Sequence, residues 1–169
     1  MKRAIVLFPR FDNALAIQRI REQYDPLANY IAPHITLVFP FESDLSTNDV
    51  RAHISQALKS VKKFTVQLNG ITGDFRDGYL FLNVKQGNDN IIELHDKLYS
   101  GPLEQFLFRK VTYCPHLTLG RVEPQSAFDQ ALKELGSFAE RFETEIDKIS
   151  VECIDESEHS LVEQVFDLE

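Results

Sequence analysis

The sequence predicts an α+β protein built as a duplicated pair of lobes: two pseudo-symmetric sheets, mixed or antiparallel, around a central cleft with helices outside. Three observations carry this. The string Pro33-His34-Ile35-Thr36-Leu37 returns as Pro115-His116-Leu117-Thr118-Leu119. The order strand, helix, motif strand, helix, strand runs through the chain twice, the units meeting at an Asp77-Gly78 turn signal. The last strand of each unit also breaks phase at the same place: Phe64-x-Val66-x-Leu68 slips before Ile71, and Phe142-x-Thr144-x-Ile146 slips before Ile149. A shared slip predicts a β-bulge in both. No linker rich in Gly, Pro or Ser separates the units, so residues 1–169 read as one domain of two lobes, about 1–77 and 78–169.

In the first unit, residues 3–9 form a short apolar strand. Asp12 is placed to cap a helix running to about Tyr24, with Ala16, Ile17, Ile20 and Tyr24 on one face and Pro26 beyond its end. A loop leads to the first motif strand, residues 34–41. Ser46 with Asp49 three residues on forms a capping-box pattern, and Val50, Ile54, Ala57, Leu58 and Val61 make a helical stripe. A strand over 63–73 completes the unit.

The second unit opens with a strand over 78–85 and a helix over 90–99, with Ile91, Leu94 and Leu98 inward and Gly101-Pro102 as its stop. An irregular stretch, 103–113, leads to the second motif strand, 116–122. A helix over 126–135 turns Phe128, Ala131, Leu132 and Leu135 inward and ends at Gly136. Long strands over 141–154 and 161–168 close the chain around an acidic turn.

Composition narrows the function classes. The 169 residues are 43% hydrophobic, enough for one sizeable core. The apolar run Ala4 to Phe8 is too short for a signal-peptide core and no segment approaches membrane-spanning length, so no membrane role and a cytoplasmic location are expected. Cys114 and Cys153 are too few for a disulfide framework. The net charge of −8 splits into +2 over residues 1–77 and −10 over 78–169, which argues against a long duplex nucleic acid as partner. Arg19, Arg21, Lys59, Lys62 and Lys63 make a basic stripe, read as a solvated helix face.

The two motifs carry the chemistry. In an extended strand residues i and i+2 share a face, so His34 stands beside Thr36 and His116 beside Thr118, while Ile35 and Leu117 turn to the core. One His-x-Thr strand alone is most simply a core strand with a satisfied histidine. Two matching strings make a site. In-line displacement at phosphorus needs a base on the entering side, an acid on the leaving side, and donors to the equatorial oxygens. Two imidazoles and two hydroxyls supply that set with no metal and no cofactor. A Cys114/His116 nucleophilic pair has i, i+2 spacing, but nothing parallel stands beside His34. No His-x-x-x-His or Cys-x-x-Cys occurs for zinc, and no Gly-rich loop for ATP. His53, His95 and His159 read as surface or packing residues. Phe39 and Phe41, which end the first motif strand, are each either a base-stacking ring or a core filler.

The paired His-x-Thr motifs and the doubled element order resemble the 2H phosphoesterase superfamily, which includes 2'-5' RNA ligases and cyclic nucleotide phosphodiesterases. Tyr24-Asp25-Pro26 and Lys97-Leu98-Tyr99 are similar to its small bacterial phosphoesterase branch. The resemblance implies a metal-independent phosphoesterase acting on a 2',3'-cyclic phosphate or 2'-5' phosphodiester of a nucleotide or RNA end. It implies His34 and His116 as catalytic residues and Thr36 and Thr118 as phosphate-binding. The family often carries an Arg after the second motif, and Arg121 matches it. Strict alternation puts Arg121 on the face opposite His116, unless Gly120 bends the strand. A non-catalytic module that binds a nucleotide or RNA end on the same fold is the alternative. Oligomeric state is not legible from the sequence.

Overall fold

The computed structural model describes every residue from 1 to 169. The first unit forms β1 (Lys2–Leu7), α1 (Ala14–Tyr24), β2 (Ile35–Glu42), α2 (Thr47–Ala57) and β3 (Phe64–Asp74). The second forms β4 (Tyr79–Gln86), α3 (Asn88–Leu98), β5 (His116–Arg121), α4 (Gln125–Leu135), β6 (Phe142–Ile146), β7 (Lys148–Ile154) and β8 (Ser160–Asp167). A short 3-10 helix, Gly101–Phe106, fills part of the irregular stretch before β5.

The strands form two four-stranded sheets, ordered β2-β1-β7-β8 and β5-β4-β3-β6. Every pairing is antiparallel. The boundary at 77/78 divides the repeated units but not the sheets. β3, the last strand of the first unit, lies in the sheet of β4 and β5, while β7 of the second unit lies beside β1. Thus β3 joins the second unit's sheet while β7 and β8 join the first unit's, and β1 and β4 are each hydrogen-bonded on one edge by the first half of the chain and on the other by the second.

The pairing of β3 with β6 shows the two-fold relationship directly. Phe64 pairs with Ile146, Val66 with Thr144 and Leu68 with Phe142. Sequence matching equates Phe64 with Phe142 and Leu68 with Ile146, so the register maps onto itself about the Val66–Thr144 pair. The shared phase slip resolves differently in the two units. In β3 it is a bulge between Leu68 and Ile71, with Gly70 at φ 73 and its carbonyl accepting from the Asn83 amide at 2.9 Å. In the second unit it is a break at Asp147, because β6 pairs with β3 whereas β7 pairs with β1 in the other sheet. Asp147 holds the crossing: its carbonyl accepts from Leu168 N at 2.8 Å and its carboxylate from Arg10 at 2.8 Å.

One contiguous cluster of 32 buried side chains joins the two sheets. The helices feed it through the stripes read above: Ile17 and Ile20, Val50 and Ile54, Ile91, Leu94 and Leu98, Phe128 and Ala131. The Ser46/Asp49 capping box forms, with Asp49 N donating to Ser46 Oγ at 3.2 Å and Ser46 N to Asp49 Oδ2 at 3.2 Å. At α1 the residue in the cap position is Asn13, not Asp12, and its amide does not cap. It donates instead to Glu140 Oε2 and the Arg141 carbonyl, tying α1 to the start of β6.

In the basic stripe Arg19, Lys59, Lys62 and Lys63 are exposed, as expected, and Arg21 alone departs. Arg21 is only 1% exposed. Its Nε donates to Asp25 Oδ2 at 2.8 Å, and Asp25 Oδ1 accepts from Leu27 N at 2.9 Å. A buried guanidinium is costly unless paired, so this pair fixes the end of α1 to the loop that leads into β2.

Candidate active site

β2 and β5 are the outer strands of their respective sheets, and they contact each other. The helices beside them are exchanged as the strands are: α1 packs on β5 and α3 on β2. This brings the two Pro-His-x-Thr-Leu segments together, although they lie in different sheets.

The two histidines are held alike. His34 Nδ1 is 2.9 Å from the Ala32 carbonyl oxygen, and His116 Nδ1 is 2.7 Å from that of Cys114. A carbonyl only accepts, so each Nδ1 carries a proton and donates it, which leaves each Nε2 for chemistry. Both rings are half-buried. Burial pushes the pKa of both below the ordinary histidine value, against the two carbonyl bonds, which act in the opposite sense. At His34, Arg21 and His116 disfavour a positive charge and Asp25 favours one.

Each motif strand carries a bulge at the same leucine. Between β1 and β2, Val6 pairs with Thr36 and Ile5 with Val38, so Leu37 is the extra residue. Between β4 and β5, Phe81 pairs with Thr118 and Leu80 with Gly120, so Leu119 is. The second bulge resolves the face of Arg121. Tyr79 pairs with Arg121, Phe81 with Thr118 and Asn83 with His116, and Tyr79, Phe81 and Asn83 alternate along one face of β4. Arg121 thus shares the face of His116 and Thr118, contrary to strict alternation. Gly120 turns inward, where an added Cβ would lie 2.6 Å from Tyr24 Cβ and from the Tyr24 carbonyl oxygen.

On that face the side chains form a ladder. The Arg121 guanidinium lies 5.3 Å from the Tyr79 ring centroid, Tyr79 stacks on Phe81 at 5.9 Å, and Phe81 packs on His116 at 4.2 Å. Arg121 also donates through Nε to the Asp77 carbonyl at 3.2 Å. Phe41 is buried against Phe106, which makes it a core residue, while Phe39 is half-buried against Phe108. Cys114 is exposed and contributes its backbone carbonyl to His116.

Three further residues belong to this frame. As an outer strand, β2 has one edge without a strand partner, and two tyrosines satisfy it. Tyr113 Oη donates to the Thr36 carbonyl at 2.7 Å, and Phe39 N donates to Tyr99 Oη at 2.9 Å. Tyr113 stacks on the buried His95 at 3.8 Å. Burial pushes both tyrosine pKa values upward, so both hydroxyls stay protonated near neutral pH. Sequence reading missed this brace; its one signal was an aromatic three residues before the second histidine. No group of three or more His, Cys, Asp or Glu side chains converges anywhere in the chain, and no helix is long and apolar enough to cross a membrane.

Comparison with known proteins bears on the family and the fold. The family model for the 2'-5' RNA ligase superfamily matches residues 8–157. A Bacillus licheniformis protein named "Putative phosphoesterase" is 30% identical over 122 residues, covering 72% of this chain and 71% of that protein. A Geobacillus protein of the same name is 28% identical over 155 residues, covering 88% of this chain and 85% of its own. Among solved structures, Escherichia coli LigT complexed with 3'-AMP superposes with a TM-score of 0.68 at 15% identity, covering 99% of this chain and 97% of LigT. A Thermus thermophilus protein gives 0.69 at 14% identity, covering 99% and 98%. At these identities the two structures show a shared fold.

Proposed function

The chain belongs to the 2'-5' RNA ligase superfamily of 2H phosphoesterases, and on that premise we propose that it is a metal-independent phosphoesterase acting on a 2',3'-cyclic phosphate or 2'-5' phosphodiester at the end of a nucleotide or RNA. The observation that carries this reading is the matched pair of Nδ1 bonds, which leaves two Nε2 atoms on adjoining strands, each able to take up or give a proton.

For a cyclic phosphate, one neutral imidazole takes a proton from water as the oxygen bonds to phosphorus. The opposite, charged imidazole gives its proton to the ribose oxygen as the P–O bond breaks. The product is a phosphate monoester with one free hydroxyl, and the two histidines have exchanged protonation states. Thr36 and Thr118 donate to the non-bridging oxygens, and Arg121, on the same face as His116, adds positive charge there. LigT has been solved with 3'-AMP, with NADP+ and with ATP. Small nucleotides of that kind, or an RNA terminus, suit a chain whose net charge of −8 disfavours a long duplex.

The test is turnover across 2',3'-cyclic nucleotides, ADP-ribose cyclic phosphate and 2'-5' linked dinucleotides. On the best substrate, His34→Ala and His116→Ala should each cost roughly 10²–10⁴ in turnover, about 3–5.5 kcal/mol. If both variants stay within a few-fold of the parent, the chain is a nucleotide or RNA-end binding module on this fold.

A further inference from the structure

Beside His34 lies an open cavity of about 400 Å³, walled by the end of β1, residues 28–33 and the start of β8. Phe8, Asn29, Tyr30, Ala32, Ser160 and Val162 are the lining residues that matter. We propose that this cavity seats the nucleobase of the substrate, taking a neutral aromatic ring whose ribose phosphate lies at His34, and so sets which nucleotide the chain accepts. The proposal rests on the phosphoesterase reading above and names the subsite that reading lacks.

Continuity with the histidine is the first argument. Phe8 packs edge-on against His34 at 6.3 Å, and the carbonyl of Ala32 holds His34 Nδ1. Both residues are also cavity wall, so a group bonded to a phosphate at His34 has this space as its neighbour. Sheet register gives a second argument. Thr36 pairs with Val6, while Ala4, two residues before it on β1, pairs with Glu152, which pairs with Val162. Paired residues share a face, so Thr36 and Val162 lie on the same side of the sheet.

Chemistry narrows the occupant. No Lys, Arg, His, Asp or Glu lines the cavity, and six of its nine residues are hydrophobic, so it suits no second phosphate. Two aromatic rings, Phe8 and Tyr30, offer stacking surfaces, and base–aromatic stacking is worth about 1–3 kcal/mol per base. The Asn29 amide supplies a donor and an acceptor together, the combination that reads a base edge. The wall is held in place: Ser160 N donates to the Tyr30 carbonyl at 3.2 Å, and the Tyr30 ring lies 4.7 Å from His159.

The experiment records methyl spectra of the full chain, with Ala32 and Val162 as reporters, during titration with adenosine, guanosine, cytidine or uridine. Methyl β-riboside serves as the base-free control. At least one nucleoside should shift both methyls saturably and the riboside should not. Ala28→Leu, which fills part of the cavity from a turn, should weaken that nucleoside at least tenfold, and Asn29→Ala should change the order of preference among the four. No shift with any nucleoside, an equal shift with the riboside, or shifts that follow chain concentration alone (a second copy covering the cavity) would each overturn the proposal. The readout needs no turnover. Nucleoside binding without hydrolysis of any phosphate counts against the enzyme and not the subsite, and hydrolysis without these shifts does the reverse.

Discussion

Tyr113 donates its hydroxyl proton to the Thr36 carbonyl oxygen over 2.7 Å, so the residue leading into the second motif holds the backbone of the first. The contact is part-buried and spans two sheets, and it closes an acceptor on the outer edge of β2 that no strand reaches. It ties the backbone of one motif to the residue that leads into the other.

Tyr113→Phe removes that donor and keeps the stack on His95. Leaving the carbonyl unsatisfied should cost about 1–3 kcal/mol in denaturant unfolding. Because Thr36 shifts with its backbone, KM for a cyclic phosphate should rise more than kcat falls. An unchanged KM with reduced stability would show the brace to be structural only.

Gly120→Ala is expected to damage the site from behind. The new Cβ would meet the backbone and Cβ of Tyr24 at 2.6 Å, so α1 must move off β5 or the bulge at Leu119 must open. Overpacking of this kind typically costs about 1–3 kcal/mol. The readout is a lowered unfolding midpoint accompanied by loss of activity, since Thr118 and Arg121 flank the displaced residue. Wild-type activity would mean the bulge does not set the face of Arg121.

Both histidines have pKa values lowered by burial, which fixes the sign of two pH effects. The unfolded chain binds these protons near pH ~6.5 and the native chain resists them, so stability is full above that pH and falls as pH drops below it. The histidine share of that loss should vanish in the His34→Ala/His116→Ala double variant, measured as unfolding midpoint between pH 7 and 5. The kcat/KM profile, which reports the free enzyme, should be bell-shaped and centred below ~6.5. A bound phosphate anion favours both imidazolium forms, so the kcat profile should lie to the alkaline side of it. Coincident profiles would count against direct contact between phosphate and imidazoles.

Activity should survive excess chelator. In the proposed mechanism acid, base and charge stabilisation come from His34, His116, Thr36, Thr118 and Arg121, leaving no step for a cation. Assaying the best substrate before and after chelation, then after adding back divalent metal, checks this. A complete loss restored by metal would require a different mechanism.

Much of this protein was legible locally. The paired motifs, the doubled order of elements and the α2 capping box are properties of short segments, and local propensity and side-chain alternation act within a few residues. Helix ends were less legible: Asn13 and not Asp12 stands at the start of α1, and the partners of its amide, Glu140 and the Arg141 carbonyl, are remote in sequence. Arg21 read as solvated because its charge was visible and its cover was not. The loop and Asp25 that bury it are set by the turn at the end of α1.

By itself, the sequence determined that two equivalent histidine–threonine strands exist and that their inner neighbours are core. Which strand lies beside which was decided by tertiary structure alone. The exchange of β3 and β7 between sheets, the break at Asp147 and the bulges at Leu37 and Leu119 each depend on a partner strand from elsewhere in the chain. The physical reason is the two-residue period of a strand. One extra residue against its partner moves every later side chain to the other face, and only the paired register shows that extra residue. Arg121 reaches the face of His116 through that single step at Leu119.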